Sequence, residues 1–293
     1  MTTFAIIGYG EAGSNMAAGL RSDGATVRAY DIKFDDPASF ARMQAHAATH
    51  GVILAKDYPD CIAGADAIFS LVDSAAMYAA ATLACESLVQ GQIYIDFNSA
   101  GPGAKQRIRD ILKDSAADMV DGAVMADVPP TRHKTPILTA GPAAERFAAL
   151  ANAAGMNIGI EPGDVGAASA VKMLRSVLMK GISSCILEFA LAAEKFGKTE
   201  AVLISVGESI GMDLVKYADR AGPRQLQHAG RRVHEMEEVA ITLEETGVAP
   251  LMSAACAKQL ERYVAAGANA GLAGACPENL AAAVKILREK GFS

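Results

Sequence analysis

Hydrophobic positions in the first 160 residues fall into short apolar runs separated by amphipathic stretches. Thr3 to Ile7 is the first run, and its continuity predicts a strand buried on both faces. Gly8-Tyr9-Gly10-Glu11-Ala12-Gly13 follows as a turn, then Ser14 to Ser22 as a helix that Asp23-Gly24 ends. Thr26 to Tyr30 reads as a second strand with Asp31 at its close. Strand, turn, helix and strand in 31 residues have the size of one βαβ unit.

The alternation continues. Pro37 to Ala48, Ala75 to Leu88, Gly103 to Ala116 and Ala143 to Ala153 read as helices. Ala67 to Val72, Gln92 to Phe97, Met119 to Val124, Pro136 to Ala140 and Met156 to Ile160 read as strands. Strands alternating with helices predict a mostly parallel sheet covered on both faces, an α/β Rossmann domain.

After Gly163 the period changes. Val171, Leu174, Leu178, Ile182, Cys185, Phe189, Ala192 and Phe196 recur every three or four residues, which predicts one long helix over about 164–196. Such a helix would be roughly 50 Å long and would link two domains; Gly181 argues against a straight rod. Helices are predicted at Glu200 to Ser209, Leu214 to Arg220, Arg224 to Glu245 with Pro223 opening it, Leu251 to Ala266 and Pro277 to Glu289. No β pattern follows Ile160. The expected division is a dinucleotide-binding domain over 1–163 and an all-α substrate and dimerisation domain over 164–293.

Composition narrows the classes of function. The 293 residues are 51% hydrophobic and 20% charged, which is a folded chain and not a disordered one. The 27 Lys and Arg are interspersed with 33 Asp and Glu, without a basic stripe, so nucleic acid is not expected as a partner. Five cysteines without a CxxC pair read as reduced thiols. His46 and His50 can share a helix face, but no third ligand is evident and no metal is expected. No leader is expected, since the first residues read straight into a strand, and no apolar stretch is expected to span a bilayer, so a cytoplasmic protein without membrane contact is expected.

GxGxxG is a weak signal alone in a chain with 27 glycines. Here an apolar strand precedes it, a helix follows, and an acid stands 18 residues beyond the third glycine. Gly8 permits the tight turn, Gly10 lets the backbone approach a pyrophosphate, and Gly13 lets helix and strand pack closely. The helix start, with Glu11 and Ala12, offers unpaired N–H groups to phosphate. Val72, at the end of the strand read over Ala67 to Val72, is a further cofactor-side candidate. Asp31 should accept hydrogen bonds from a ribose diol and repel a 2′-phosphate, which favours NAD; Lys33, two residues on, keeps NADP open.

Lys172 sits near the start of the long helix, with Arg175 and Ser176 on its face. The helix dipole and an apolar surrounding would lower its pKa toward a range useful for proton transfer; from position alone, a solvent-exposed lysine is the favoured reading. Two segments fall where ligands of open sheets bind. Asn98 and Ser99, in the turn from Asp96 to Pro102, can donate to a carboxylate, and Gly122 belongs to the second, from Asp121 to Met125. The loop from Pro129 to Pro136 holds Arg132, His133 and Lys134 between prolines; it supplies charge to an acidic substrate or faces solvent.

These residues, in this order, resemble the β-hydroxyacid dehydrogenase superfamily, which includes 3-hydroxyisobutyrate, tartronate semialdehyde and 6-phosphogluconate dehydrogenases. The likeness covers roughly residues 1–195. It matches Gly8, Gly10, Gly13 and Asp31 to the nucleotide fingerprint, Asp96, Asn98, Ser99 and Pro102 to the substrate loop, and Gly166 and Lys172 to the catalytic helix. Met125-Ala126-Asp127 stands where many members have Ser-Gly-Gly, and Ser176 where many have Asn. Those departures point away from a standard 3-hydroxyisobutyrate or tartronate semialdehyde dehydrogenase, toward a less characterised branch with a distinct helical domain. The resemblance implies an NAD(P)-dependent dehydrogenase acting on CH–OH of a small hydroxyacid, with Lys172 as general acid–base. It also implies a homodimer. Asn98, Ser99, Gly122, Arg175, Ser176, His133 and Lys134 are the substrate-side candidates. Two alternatives stay open: a reductase of the same fold acting on an imine or unusual ketone, and a nucleotide-responsive sensor or structural dimer without turnover.

Overall fold

The computed structural model describes residues 2–272 and 275–292. The chain forms two compact units, one ending at Lys172 and the other beginning at Met173.

The first unit is built on strands β1 (Thr3–Ile7), β2 (Thr26–Tyr30), β3 (Ile53–Leu54), β4 (Ala67–Ser70), β5 (Ile93–Asp96), β6 (Asp118–Val124), β7 (Pro136–Ala140) and β8 (Asn157–Ile160). They form one sheet in the order β3-β2-β1-β4-β5-β6-β7-β8. Neighbours are parallel except β6 and β7, which are antiparallel. Side chains alternate across the sheet as period two requires. Phe4 and Ile6 enter the core on one face with Phe69, Phe97 and Phe147; Ala5 and Ile7 enter the core on the other with Ile68 and Tyr94. Burial on both faces explains why these strands read as unbroken apolar runs.

Helices α1 (Glu11–Ser22), α2 (Pro37–His50), α3 (Tyr58–Ile62), α4 (Met77–Cys85), α5 (Pro102–Leu112) and α6 (Ala144–Ala153) connect the strands. Their ends follow local chemistry. The Asp36 carboxylate accepts the Ser39 N–H at the start of α2, Pro37 fills its first turn, and Gly51 at φ 69° closes it. The sequence pattern missed β3 and α3, two and five residues long, because neither completes a period; α3 is set by Asp57, which accepts the Asp60 N–H, with Pro59 in the first turn. The segment from Asp121 to Val124 is strand, within the run read as Met119 to Val124, and Gly122 lies buried in β6 rather than in a turn. A Cβ there would fall on the Phe97 ring, so packing against an aromatic side chain explains the glycine.

Helix α7 (Ala167–Lys195) runs through Gly181 without a break; its 29 residues span about 44 Å. It contains an apolar window of mean hydropathy 1.5, long enough to cross a bilayer, contrary to the expectation from sequence. Met173, Ile186, Leu187 and Ala190 of α7 enter the core of the second unit, which is the behaviour of a core helix.

The second unit continues with α8 (Thr199–Ile210), α9 (Leu214–Gln227), α10 (Ala229–Glu245), α11 (Leu251–Ala265) and α12 (Leu280–Glu289). Its described residues contain no strand. Leu226, Met236, Leu260 and Leu287, each fully buried, join the α7 residues in its core. Pro223, expected to open a helix, lies inside α9, and the next helix starts at Ala229. Close packing fixes this region: Gly222 and Pro223 are buried, and a Cβ on Gly222 would press on Leu280 of α12.

Candidate functional site

The chain reverses direction across the sheet between β1 and β4, so their carboxyl ends bound a crevice, the usual ligand position in such sheets. Gly8 ends β1 at φ 97°, a conformation that glycine tolerates, and a Cβ there would strike the Leu71 carbonyl and crowd the Val72 nitrogen. A Cβ on Gly13 would strike the Gly8 carbonyl, so the first turn of α1 sits directly on the strand end. Gly10 differs: it is exposed, and a Cβ there would meet nothing within 4 Å. The protein's own packing does not require glycine at this position. Glu11 and Ala12 then open α1.

Asp31 is 8% exposed at the end of β2. Its Oδ2 accepts the Tyr9 N–H at 2.7 Å and its Oδ1 the Lys33 N–H at 2.9 Å. The acid is thereby fixed beside the glycine turn. Tyr9 is buried, and its hydroxyl meets His46 Nδ1 of α2 at 2.9 Å. Burial pushes the Tyr9 phenol up and, with the charges of His50 and Arg132, pushes the His46 imidazole down, so the pair rests neutral at physiological pH. Sequence spacing gave no sign of this link, because 37 residues separate its partners.

A row of residues crosses the sheet at its carboxyl edge. Ile7 pairs with Ser70, Ser70 with Asp96, and Asp96 with Asp121. Between Asp96 and Asp121 lies Lys105 of α5, fully buried, a residue the sequence reading passed over. Its amine donates to the Asp96 carbonyl at 2.8 Å, forms an ion pair with the Asp96 carboxylate, and lies 3.7 Å from the Asp121 carboxylate. Asp121 in turn accepts the N–H groups of Gly166 and Ser169 at 3.1 and 2.9 Å, and the Ser169 hydroxyl at 2.6 Å. The start of α7 is thus bolted to β6, and Lys172 stands three residues beyond Ser169 on that helix. From β1 to β6 the sheet takes three strand spacings, about 14 Å.

Asn98 is 96% buried by the same network. Its Nδ2 donates to the Ser70 hydroxyl at 2.9 Å and to Asp96 Oδ2 at 2.6 Å, and its backbone N–H donates to Asp96 Oδ1 at 3.2 Å. This revises its expected chemistry. Ser70 and Asp96 have consumed the amide donors, so Asn98 offers only its carbonyl Oδ1, which is buried without a partner; the Ser99 hydroxyl is buried and unpartnered too.

His133 and Lys134 are placed elsewhere. His133 is 2% exposed and meets Asp23 at 3.1 Å, and Lys134 meets the same carboxylate at 3.0 Å. Asp23 follows the last turn of α1, whose 12 residues carry it about 18 Å from the glycine turn. The loop read as supplying charge to a substrate or facing solvent is anchored to the far end of a helix. Further along α7, Ser176 is buried while Arg175 is exposed.

The chain matches a family model described as the NAD binding domain of 6-phosphogluconate dehydrogenase over residues 3–155, and a domain of unknown function, DUF1932, over residues 193–263. Among solved structures it is similar to a conserved hypothetical protein from Sinorhizobium meliloti 1021, at 39% identity, covering 99% of this chain and 97% of that one, with a TM-score of 0.81. It is similar to the conserved protein MTH1747, of unknown function and described as structurally similar to 3-hydroxyacid dehydrogenases, at 28% identity, 89% and 96% coverage and a TM-score of 0.74. The Mycobacterium tuberculosis 3-hydroxyisobutyrate dehydrogenase, solved with L-serine, shares the fold at 19% identity, 98% and 99% coverage and a TM-score of 0.76.

Proposed function

The chain belongs to the family of the NAD binding domain of 6-phosphogluconate dehydrogenase, and from that premise we propose an NAD-dependent oxidoreductase that acts on the CH–OH group of a small hydroxyacid, with Lys172 as general acid–base. The observation that carries this reading is the grip of Asp121 on Ser169, which holds the α7 start at the same sheet edge as the glycine turn.

Bound nicotinamide supplies a hydride acceptor for the carbon that bears the hydroxyl. The chain supplies the rest. Gly8, Gly10 and Gly13 shape the phosphate turn, with Glu11 and Ala12 at the helix start and Val72 across the crevice. Asp31 takes the ribose diol, and its negative charge disfavours a 2′-phosphate. Asn98 Oδ1 and the Ser99 hydroxyl accept hydrogen bonds from the ligand, which would relieve buried groups that are expensive to leave unpaired. The Lys172 amine takes the hydroxyl proton as the carbonyl forms and returns it in the reverse direction. His133 and Lys134 have no part in this reading, since Asp23 engages them.

The working form is a homodimer built through the second unit. Leu174, Leu178 and Ile182 of α7 are 51%, 66% and 43% exposed and lie on one helix face, an apolar surface that a second copy would cover.

The test is a panel of small hydroxyacids, with and without a second anionic group, followed by NADH absorbance with each cofactor. Turnover of at least one hydroxyacid with NAD is expected. No turnover of any member, with NADH bound, would defeat the enzyme assignment in favour of a nucleotide-responsive sensor.

A further inference from the structure

Two carboxylates and one ammonium lie sealed under the carboxyl edge of the sheet. Asp96, Lys105 and Asp121 are each fully buried. The Lys105 amine pairs with the Asp96 carboxylate and stands 3.7 Å from that of Asp121. One aspartate suffices to pair the lysine; the second leaves the cluster with a net negative charge. Water does not screen that charge, so its field reaches farther than that of a surface acid. The amino ends of two helices offset part of it: Lys105 stands in the first turn of α5, and Asp121 accepts N–H groups at the start of α7.

A second observation has the same sign. Asn98 Nδ2 donates to Ser70 Oγ at 2.9 Å and to Asp96 Oδ2 at 2.6 Å. Both donors of the amide are spent, and its negative end, the carbonyl oxygen, is buried without a partner. Asp96 thus supplies charge and also orients a dipole whose negative end stays unpaired.

The place of the cluster gives it a target. Across the sheet edge Tyr30 pairs with Ile7, Ile7 with Ser70, Ser70 with Asp96, and Asp96 with Asp121. Asp31 follows Tyr30, and Gly8 follows Ile7. A dinucleotide with one ribose at Asp31 and its pyrophosphate at the glycine turn has its other half on the β4, β5 and β6 side. That half carries the nicotinamide, whose ring is a cation when oxidised and neutral when reduced.

We propose that the cluster of Asp96, Lys105 and Asp121 sets the balance between the two redox forms of the cofactor, favouring oxidised NAD over NADH. The inference rests on the reading of this crevice as the nucleotide site. Tighter binding of the oxidised form lowers the potential of the bound couple, by about 30 mV for each tenfold change in the ratio of affinities.

The experiment is titration of NADH by its fluorescence, and of oxidised NAD by displacement of that NADH, on the full chain at fixed pH and salt. The quantity read is the dissociation constant of NADH divided by that of oxidised NAD. Lys172 is common to parent and variants, so a change in this ratio reports the cluster. Asp121→Asn removes one negative charge and should lower the ratio by about threefold or more. Asp96→Asn makes the same change of charge with the α7 anchor in place. It should lower the ratio likewise, and it carries the comparison if Asp121→Asn fails to fold. Lys105→Met/Asp96→Asn removes one charge of each sign and should keep the ratio within about twofold of the parent. A ratio unchanged by the single variants, or moved as far by the double variant as by the singles, would overturn the inference and leave the nucleotide reading standing. A parent protein that binds neither NADH nor oxidised NAD would overturn both.

Discussion

Asp121 holds Ser169 through two hydrogen bonds, one carboxylate oxygen taking its hydroxyl at 2.6 Å and the other its N–H at 2.9 Å, and the second oxygen also takes the Gly166 N–H at 3.1 Å. The same carboxylate faces the buried Lys105 amine. Asp121→Ala removes a helix anchor and leaves Lys105 with one carboxylate. We expect a loss of about 2–4 kcal/mol in urea unfolding. A loss under about 0.5 kcal/mol would show that neither interaction stabilises the fold.

Lys172→Ala should keep NADH affinity within about twofold and lower turnover by about 10²- to 10⁴-fold, the range for loss of a general acid–base. NADH fluorescence titration and steady-state rates on the substrate found in the panel check this. Equal rates in variant and parent would remove Lys172 from the chemistry.

Asp31→Ala should narrow the preference for NAD over NADP by about tenfold, because a carboxylate that repels a 2′-phosphate is gone. The ratio of the two dissociation constants is the measurement. An unchanged ratio would mean that Asp31 serves only its own partners, the Tyr9 and Lys33 N–H groups.

Gly122→Ala should cost about 1–3 kcal/mol, since the new methyl would overlap the buried Phe97 ring between well-packed aromatics. Thermal unfolding with Phe97→Leu as a second change provides the check. Stability should be partly regained in the double variant, and a failure to regain any would place the strain elsewhere.

Burial pushes the His133 imidazole down, against the pull of Asp23. The unfolded chain therefore binds a proton more readily than the folded one. The stability tied to His133 is complete above the ordinary imidazole range, about pH 6.5, and is lost as pH falls through that range toward the lower folded value. The Asp23 carboxyl, held low by Lys134 and then by His133, adds its loss at more acidic pH. Unfolding midpoints measured from pH 8 to 5 should fall more steeply in the parent than in His133→Gln. Parallel curves would show that His133 titrates alike in both states.

Much of the fold was written in local pattern. The unbroken run from Thr3 to Ile7, the glycine turn after it, Asp31 at the end of β2 and the three-to-four-residue period of α7 follow from rules that act over a few residues. Where the period was too short to complete, as at Ile53–Leu54, or where packing held a proline inside α9, local pattern misplaced or missed the element. The candidate residues divide in the same way. Gly8, Gly10, Gly13 and Asp31 act through a turn and a strand end that adjoin in sequence or pair directly. Tertiary packing alone seated Lys105 between Asp96 and Asp121, bound His133 and Lys134 to Asp23, and spent the Asn98 donors on Ser70 and Asp96. Charge and hydrogen-bond partners are chosen by which strands and helices come to lie side by side, and Asp23 and His133, 110 positions apart, carry no mark in sequence of having met.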